Sequence, residues 1–166
     1  MNDSLRTLTP VVAAFAVLLG VSWLAMDYLV ERRGNPNRNV ETNEGAPQRI
    51  ELEQGPGGHY RVPGRINGER VEFLVDTGAS HVAVPGGLAD SLGLERGPEI
   101  RVVTANGTAT AYHTRIDRIA VGGIRLHDVR GSINPSMGGD AVLLGMTFLR
   151  ELELRQVDRR LILEQR

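Results

Sequence analysis

Hydrophobic and polar residues alternate along much of the chain from about residue 49 onward, in runs separated by turn-forming residues. The run 49–53 alternates strictly and stops at a Gly-Pro-Gly-Gly segment, 55–58. Strict alternation indicates a strand with one face buried. Asn67-Gly68 separates the runs 59–66 and 71–75, and Asn-Gly between two such runs is a strong hairpin signal. The pattern therefore predicts antiparallel hairpins.

Two further hairpins are predicted by the same reasoning. Asn106-Gly107 joins the run 100–104 to a long run over 108–120, and Gly122-Gly123 joins that run to another over 124–133. Paired turn residues with glycine favour the tight connections of antiparallel ribbons. We therefore expect long strands on both sides of each pair.

The remaining periodic segments are short. Leucines over 87–92, followed by Gly93, predict one helix with a glycine stop, and a second helix is expected near Met146. Alternating leucines on both sides of the segment 157–160 predict a terminal hairpin. The predicted class is all-β, mainly antiparallel, with one or two short helices.

The N-terminal region is different, because its apolar residues are continuous. Residues 11–26 carry no charge, and the apolar character continues past Asp27 to Val30. About 20 such residues are enough for a helix to cross a bilayer. We predict an N-terminal tail at 1–10 and an uncleaved transmembrane signal anchor at 11–30.

Two alternatives to the anchor remain open. One is a cleaved signal peptide, although Trp23-Leu24-Ala25 matches a signal peptidase site poorly. The other is a buried helix. Residues 31–47 are polar, rich in Asn, Gly and Pro and without periodicity, which predicts a flexible linker. Residues 48–166 then form one domain with a single core.

Composition excludes several classes of chemistry. The chain has no cysteine, so it has no disulfide, thiolate metal site or cysteine nucleophile. Lys+Arg total 19 against 20 Asp+Glu, and every one of the 19 is arginine, which excludes a Schiff-base lysine. Such balanced charge gives no broad field for nucleic acid, so we expect no nucleic-acid partner.

The segment 73–80, Phe-Leu-Val-Asp-Thr-Gly-Ala-Ser, carries the strongest chemical signal. An apolar strand ends there in Asp76. Burying a carboxylate is costly unless it is paired and hydrogen-bonded, so its position needs an explanation. One explanation is structural: a β-turn with an Asx-type bond from Asp76 and a positive φ at Gly78. The other is catalytic.

This octet resembles the active-site signature of aspartic proteases. The segment 142–145, Val-Leu-Leu-Gly, resembles the second motif of their single-domain, retroviral-type members, and 144–149 resembles the membrane-anchored bacterial retropepsin-like proteases. The resemblance covers about 49–166. It implies a single-domain retropepsin-like acid protease fold and an aspartic endopeptidase without cofactor or metal, acting on an extended peptide.

Site roles follow from the resemblance. Asp76 would be the catalytic carboxylate. Active-site support would come from Thr77, which bonds across a dimer axis, from the backbone N–H of Gly78, and from the hydroxyl of Ser80. The second motif would be Leu143, Leu144 and Gly145, and the flap would be the hairpin at Asn106 and Gly107.

The chemistry requires two carboxylates that share a proton. The chain holds one Asp-Thr-Gly. We therefore predict a homodimer in which a two-fold axis places Asp76 opposite its symmetry mate. By the resemblance, residues 161–163 are expected in the dimer interface.

Alternative functions are weaker. No histidine and acid are arranged around a serine as a hydrolase triad would need. His59, His81, His113 and His127 lack metal-ligand spacing. A catalytically silent peptide-binding domain of the same fold remains the main alternative.

Location is predicted from two conflicting signals. Three arginines follow the apolar segment, which favours a cytoplasmic domain under the positive-inside rule. The resemblance implies the bacterial inner membrane, with a single span in the lipid bilayer and a periplasmic catalytic domain. We expect the periplasmic location.

Overall fold

Most of the alternating runs form strands, because in each run every second side chain can enter a common core. The computed structural model describes residues 18–19, 21–22, 34–42, 45–104 and 107–166. Residues 35–166 form one compact unit. Its strands are β1 (Arg49–Glu53), β2 (Arg61–Ile66), β3 (Glu69–Val75), β4 (Val82–Pro85), β5 (Glu99–Thr104), β6 (Gly107–Val121), β7 (Ile124–Asn134), β8 (Ala141–Leu144), β9 (Leu152–Val157) and β10 (Arg160–Gln165).

The predicted hairpins that can be followed are confirmed. Asn67 and Gly68 connect β2 to β3 with φ values of 51° and 98°. Gly122 (φ 59°) lies between β6 and β7, and Asp158 (φ 53°) between β9 and β10. Positive φ is the conformation that tight hairpin turns require, which is why Asn, Asp and Gly occupy these positions.

The helical predictions have different outcomes. The helix α1 spans Met146–Leu149, as expected near Met146. The helix expected over 87–92 is instead a 3₁₀ turn at Gly86–Leu88, followed by one helical turn in which the Leu92 N–H donates to the Leu88 carbonyl at 3.1 Å. Gly93 ends this segment with φ 65°. Gly86 and Gly87 open the segment, and glycine is a poor helix former, so an α-helix is not sustained at its start.

The strands form two sheets. A three-stranded sheet has the order β1-β10-β9, and a seven-stranded sheet has the order β2-β3-β8-β4-β7-β6-β5, with an additional pairing of β2 to β6. Two pairings are parallel, β3 with β8 and β4 with β7. The alternating pattern did not predict them, because it carries no information about strands that are distant in sequence.

The core is aliphatic with two phenylalanines at its centre. The largest fully buried side chains are Phe73, Phe148, Leu52, Ile66, Ile116, Ile119, Ile124, Ile133, Leu144, Leu149, Leu152 and Leu163. Leu161 and Leu163 are both buried in their own chain, whereas Ile162 is half-buried. Of these three side chains, that of Ile162 is therefore the most accessible, because the core of the protomer covers the two leucines; the expectation that 161–163 lie in a dimer interface stays a prediction.

Part of the expected flexible linker is folded onto the domain. We call residues 35–42 the strap. The side-chain amide of Asn37 donates to the carbonyls of Glu53 (2.9 Å) and Arg61 (2.8 Å), and its oxygen accepts from the Glu53 N–H at 2.6 Å. Thr42 accepts from the Gly122 N–H at 3.2 Å. Polar composition predicted flexibility here, but the polar side chains satisfy backbone groups of the domain instead.

The expected transmembrane segment at 11–30 lies largely outside the described residues. Leu18, Leu19, Val21 and Ser22 are described; they are helical and exposed. Among the described residues, no helix has both the length and the apolar character needed to cross a bilayer. The signal anchor therefore stays a prediction.

Candidate active site

Asp76 lies where three strands of the seven-stranded sheet come together. Strand β3 ends one residue before it and pairs in parallel with β8, with Val75 opposite Leu144. Strand β8 in turn contacts β4, where Ala83 lies opposite Leu143. We call this region the crossing. It brings the two sequence motifs, 73–80 and 142–145, side by side.

The Asp76 carboxylate is held by backbone of its own loop. The Gly78 N–H donates to Asp76 Oδ1 at 2.9 Å, and the Asp76 N–H donates to the Leu144 carbonyl at 3.2 Å. The first of these is the Asx-type bond of the structural explanation, although Gly78 does not have a positive φ. An N–H directed at a carboxylate oxygen also fixes the orientation of the acid, so the loop geometry is compatible with both explanations.

The supporting residues differ in exposure. Asp76 is half-buried, whereas Thr77, Gly78 and Ser80 are exposed on the single chain. A Cβ at Gly78 would lie 3.2 Å from Asp76 Oδ1, so glycine allows the close approach of its N–H. In the described part of the chain, the Asp76 carboxylate is hydrogen-bonded to the Gly78 N–H and takes part in no ion pair.

Gly145 fixes the second motif against the first. A Cβ built on Gly145 would lie 2.1 Å from the His81 carbonyl oxygen and 2.7 Å from that of Ala79. The next residue, Met146, donates its N–H to the Ala79 carbonyl at 2.8 Å. The loop 76–81 therefore rests directly on the backbone of Gly145, and no larger residue fits there.

Thr147 adds a link that the sequence did not single out. Its hydroxyl accepts from the Val82 N–H at 3.0 Å and donates to the Arg130 carbonyl at 2.7 Å. It thereby joins α1 to β4 and β7 directly behind the loop. A threonine inside a short helix gives no sequence signal for this role, because the partners are set by the tertiary fold.

The hairpin expected to be the flap is formed by β5 and β6. Asn106 lies outside the described residues, and Gly107 begins β6 with φ 108°. The Thr104 hydroxyl donates to the Gly107 carbonyl at 2.8 Å, which closes the turn. The side chain of Val103 is 89% exposed.

A histidine pair was missed in the sequence. The rings of His81 and His113 meet edge to face, with centroids 5.9 Å apart. His81 ends the loop that carries Asp76, and His113 lies on β6. Burial, together with electrostatic interaction with His113, Arg130 and Arg150, lowers the pKa of His81. Its place immediately after the octet was the available signal. No group of metal-ligating side chains occurs among the described residues.

Comparison with known proteins identifies the family. The family model described as "gag-polyprotein putative aspartyl protease" matches residues 62–151, which include the octet, the second motif and the strands between them. The chain belongs to this aspartyl protease family.

Two relatives of this family member are similar over longer segments. An uncharacterized protein of Sinorhizobium sp., named for the cobV 5′ region, is 30% identical over 154 residues, which cover 86% of the chain and 66% of the relative. An uncharacterized protein of Rickettsia prowazekii (strain Madrid E) is 27% identical over 110 residues, 64% of the chain and 46% of the relative. The chain thus spans about two thirds and about half of these curated relatives.

A solved structure supports the fold of this aspartyl protease family member. The crystal structure of a retropepsin-like aspartic protease from Rickettsia conorii matches with a TM-score of 0.57 and 25% identity, covering 69% of the chain and 87% of that protein. The all-β, retropepsin-like fold expected from the sequence is therefore confirmed.

Proposed function

We propose that this chain is a membrane-tethered aspartic endopeptidase that hydrolyses peptide bonds as a homodimer. The observation that carries the proposal is the position of Asp76 at the crossing, where Gly78 donates to its carboxylate and β8 supports its backbone. A carboxylate held in a defined orientation, but only half-buried, is suited to act on a water molecule.

The dimer supplies the second carboxylate. One Asp76 would take a proton from water while its symmetry mate donates a proton to the scissile carbonyl. The exposure of Thr77, Gly78 and Ser80 supports this arrangement, because a second copy can cover them. The dimer would then have one active site, which would contain residues of both protomers and would need no cofactor.

Substitution of Asp76 tests the proposal. Asp76→Asn keeps the side-chain shape but removes the acid, so cleavage of a peptide library is expected to fall by at least about a hundredfold. Sedimentation should show an unchanged dimer. Asp90→Asn, an exposed acid outside the crossing, is the control and should cleave as wild type does. Equal activity of the Asp76 variant and wild type would refute the proposal.

Binding measurements separate the proposal from its alternative. If the wild type binds extended peptides without cleaving any of them, the silent peptide-binding domain explains the fold better. Slow self-cleavage of wild-type protein that is absent in Asp76→Asn would instead support catalysis.

We also propose that residues 11–30 anchor the enzyme in the bacterial inner membrane with its domain in the periplasm. The long uncharged run supports a span, and the resemblance to membrane-anchored bacterial proteases supports the location. Alkaline phosphatase fusions after Val30 and after Arg166 test this. Activity of both fusions is expected, and inactivity of both would place the domain in the cytoplasm.

A further inference from the structure

A groove of about 440 Å³ lies between the strap and the hairpin of β2 and β3. Residues 38–42 of the strap form one wall, and residues 63–65 and 70–71 of the hairpin form the other. The two walls are linked, because the Thr42 hydroxyl donates to the Pro63 carbonyl at 3.5 Å. We call this feature the arginine groove, after the basic side chains that line it.

Basic side chains outnumber acidic ones in the arginine groove. Arg38, Arg65 and Arg70 line it, and Glu41 is the one acid among its described lining residues. The groove therefore has an excess of two positive charges, although the net charge of the whole chain is −1. Such a local excess favours an anionic ligand.

Two of these arginines face each other across the hairpin. Arg65 on β2 lies directly opposite Arg70 on β3 in the antiparallel register. Like charges in directly opposite positions destabilise a strand pair. On the same face of this hairpin, Arg61 instead pairs with Glu72 at 2.9 Å. The hairpin therefore contains one matched and one mismatched pair of charges.

No described residue neutralises the mismatched pair. The Arg65 guanidinium donates to the Gly68 carbonyl at 2.7 Å, and this acceptor is uncharged. Neither Arg65 nor Arg70 forms an ion pair with a described residue. An anion bound to both guanidinium groups would accept charge-assisted hydrogen bonds and would remove their repulsion.

The position of the arginine groove along the chain indicates which anion can reach it. The proposed anchor ends at Val30, and three hydrogen bonds fix Asn37 of the strap to the domain. Seven residues span at most about 25 Å when fully extended. A compact unit of the size of residues 35–166 has a radius of gyration of about 14 Å and is about 36 Å across. Because the connection is shorter than the domain is wide, it keeps the strap close to the bilayer surface.

We propose that the arginine groove binds the phosphate group of an anionic phospholipid and thereby docks the domain on the membrane that anchors it. This inference rests on the membrane tether of the proposed function and is independent of cleavage. A guanidinium group can donate two parallel hydrogen bonds to a phosphate. Arginines near an anionic bilayer are also attracted to its surface. Arg38 would contribute from the strap, and Arg65 and Arg70 from the hairpin.

The arginine groove and the candidate active site lie at opposite ends of one strand. Arg70 is the second residue of β3, and Asp76 follows the last residue of that strand. Six residues of extended strand span about 20 Å. A lipid bound in the groove would therefore leave the crossing open to a peptide and would hold it within about 20 Å of the headgroup.

Thermal unfolding of the 166-residue chain in lipid nanodiscs tests the docking. One set of discs contains phosphatidylcholine alone, and the other also contains phosphatidylglycerol. A ligand that binds only the folded chain raises Tm. We expect Tm to be about 4 °C higher in the phosphatidylglycerol discs. Inorganic phosphate, added to the chain in non-ionic detergent at constant ionic strength, should raise Tm by less than about 1 °C.

The variant Arg70→Gln makes the test specific, because it removes both a phosphate donor and the mismatched pair. In phosphatidylcholine discs its Tm should equal or exceed that of wild type, since the repulsion is gone. In phosphatidylglycerol discs its Tm should be about 3 °C below that of wild type. A purely structural role of Arg70 would shift Tm in the same direction in both discs. Arg155→Gln, which removes an exposed arginine of β9, is the control and should keep the full rise.

Three results would overturn the inference. An equal rise in wild type and Arg70→Gln would reflect attraction of the whole surface to anionic lipid. A rise with inorganic phosphate as large as that in phosphatidylglycerol discs would indicate a site for a free anion instead of a lipid. A chain that associates with both discs but has the same Tm in each would refute the docking and leave the tether intact. A chain that associates with neither disc would refute the tether and the docking together, and the cleavage assay of Asp76→Asn would still test the protease function.

Discussion

The crossing around Asp76 and the β5–β6 hairpin are built on opposite principles, although both belong to the proposed active site. At the crossing, backbone packs on backbone, and the Gly145 α-carbon leaves no space for a side chain. On the hairpin, Val103 is 89% exposed and the turn is closed by a hydrogen bond of Thr104. Changes at the packed backbone of the crossing, above all at Gly145, should therefore act on stability. Changes on the hairpin should act on catalysis with little effect on stability.

The largest expected effect is at Gly145. Gly145→Ala should lower the free energy of unfolding by more than about 3 kcal/mol, because the new methyl group would overlap the His81 carbonyl. Urea denaturation measures this. Gly138→Ala is the matched control, since no atom lies within 4 Å of its added Cβ, and its change should stay within about 0.5 kcal/mol. Similar losses in the two variants would contradict the close packing of the crossing.

The strap extends the comparison to a third region. Asn37→Ala removes three hydrogen bonds and leaves backbone groups of Glu53 and Arg61 without these partners, so a loss of about 2 kcal/mol is expected. Asn39→Ala, at an exposed position of the same strap, should be nearly neutral. If urea denaturation shows no difference between the two variants, the strap is not a fixed part of the domain.

The pH dependence of stability probes the crossing at His81. The lowered pKa means that the unfolded chain binds the proton more readily than the folded chain does. Stability should therefore fall as pH decreases below about 6.5, the ordinary value for histidine. Thermal unfolding of His81→Gln should show a weaker decline between pH 7 and 5 than wild type, and His127→Gln should show the wild-type decline. A steeper decline in His81→Gln than in wild type would contradict the lowered pKa of His81.

The smallest effect on stability is expected on the hairpin. Val103→Thr should change the free energy of unfolding by less than about 0.5 kcal/mol, because the side chain is exposed and threonine also favours strands. If the hairpin covers the substrate, kcat/KM should fall several-fold. A large loss of stability with unchanged cleavage would reverse the contrast between the two regions.

Local features of the fold could be predicted from the sequence, and distant contacts could not. Asn67-Gly68 and Gly122-Gly123 specify their hairpins by their own conformational preferences. The parallel pairing of β3 with β8 depends on burial shared by segments far apart in the sequence. The bonds of Asn37 reach backbone groups 16 and 24 residues away, and no local pattern encodes them.

The same division applies to the site. Asp76 and Gly145 stand in motifs that can be read directly, and the structure places these motifs next to each other. His81 and His113 are brought together only by the approach of β6 to the end of the loop 76–81. The position of His81 directly after the octet is a signal for that residue, but His113 has no distinctive context, so the pair could not be predicted.

The strap also has a mechanical consequence. Strand β1 belongs to the three-stranded sheet and β2 to the seven-stranded sheet, and Asn37 bonds to the end of β1 and to the start of β2. Tension on the chain ahead of residue 35 would therefore load both sheets together, through several hydrogen bonds in parallel. A force applied at this end would therefore act on the Asn37 hydrogen bonds before it could separate the residue pairs of β1 and β10 one after another.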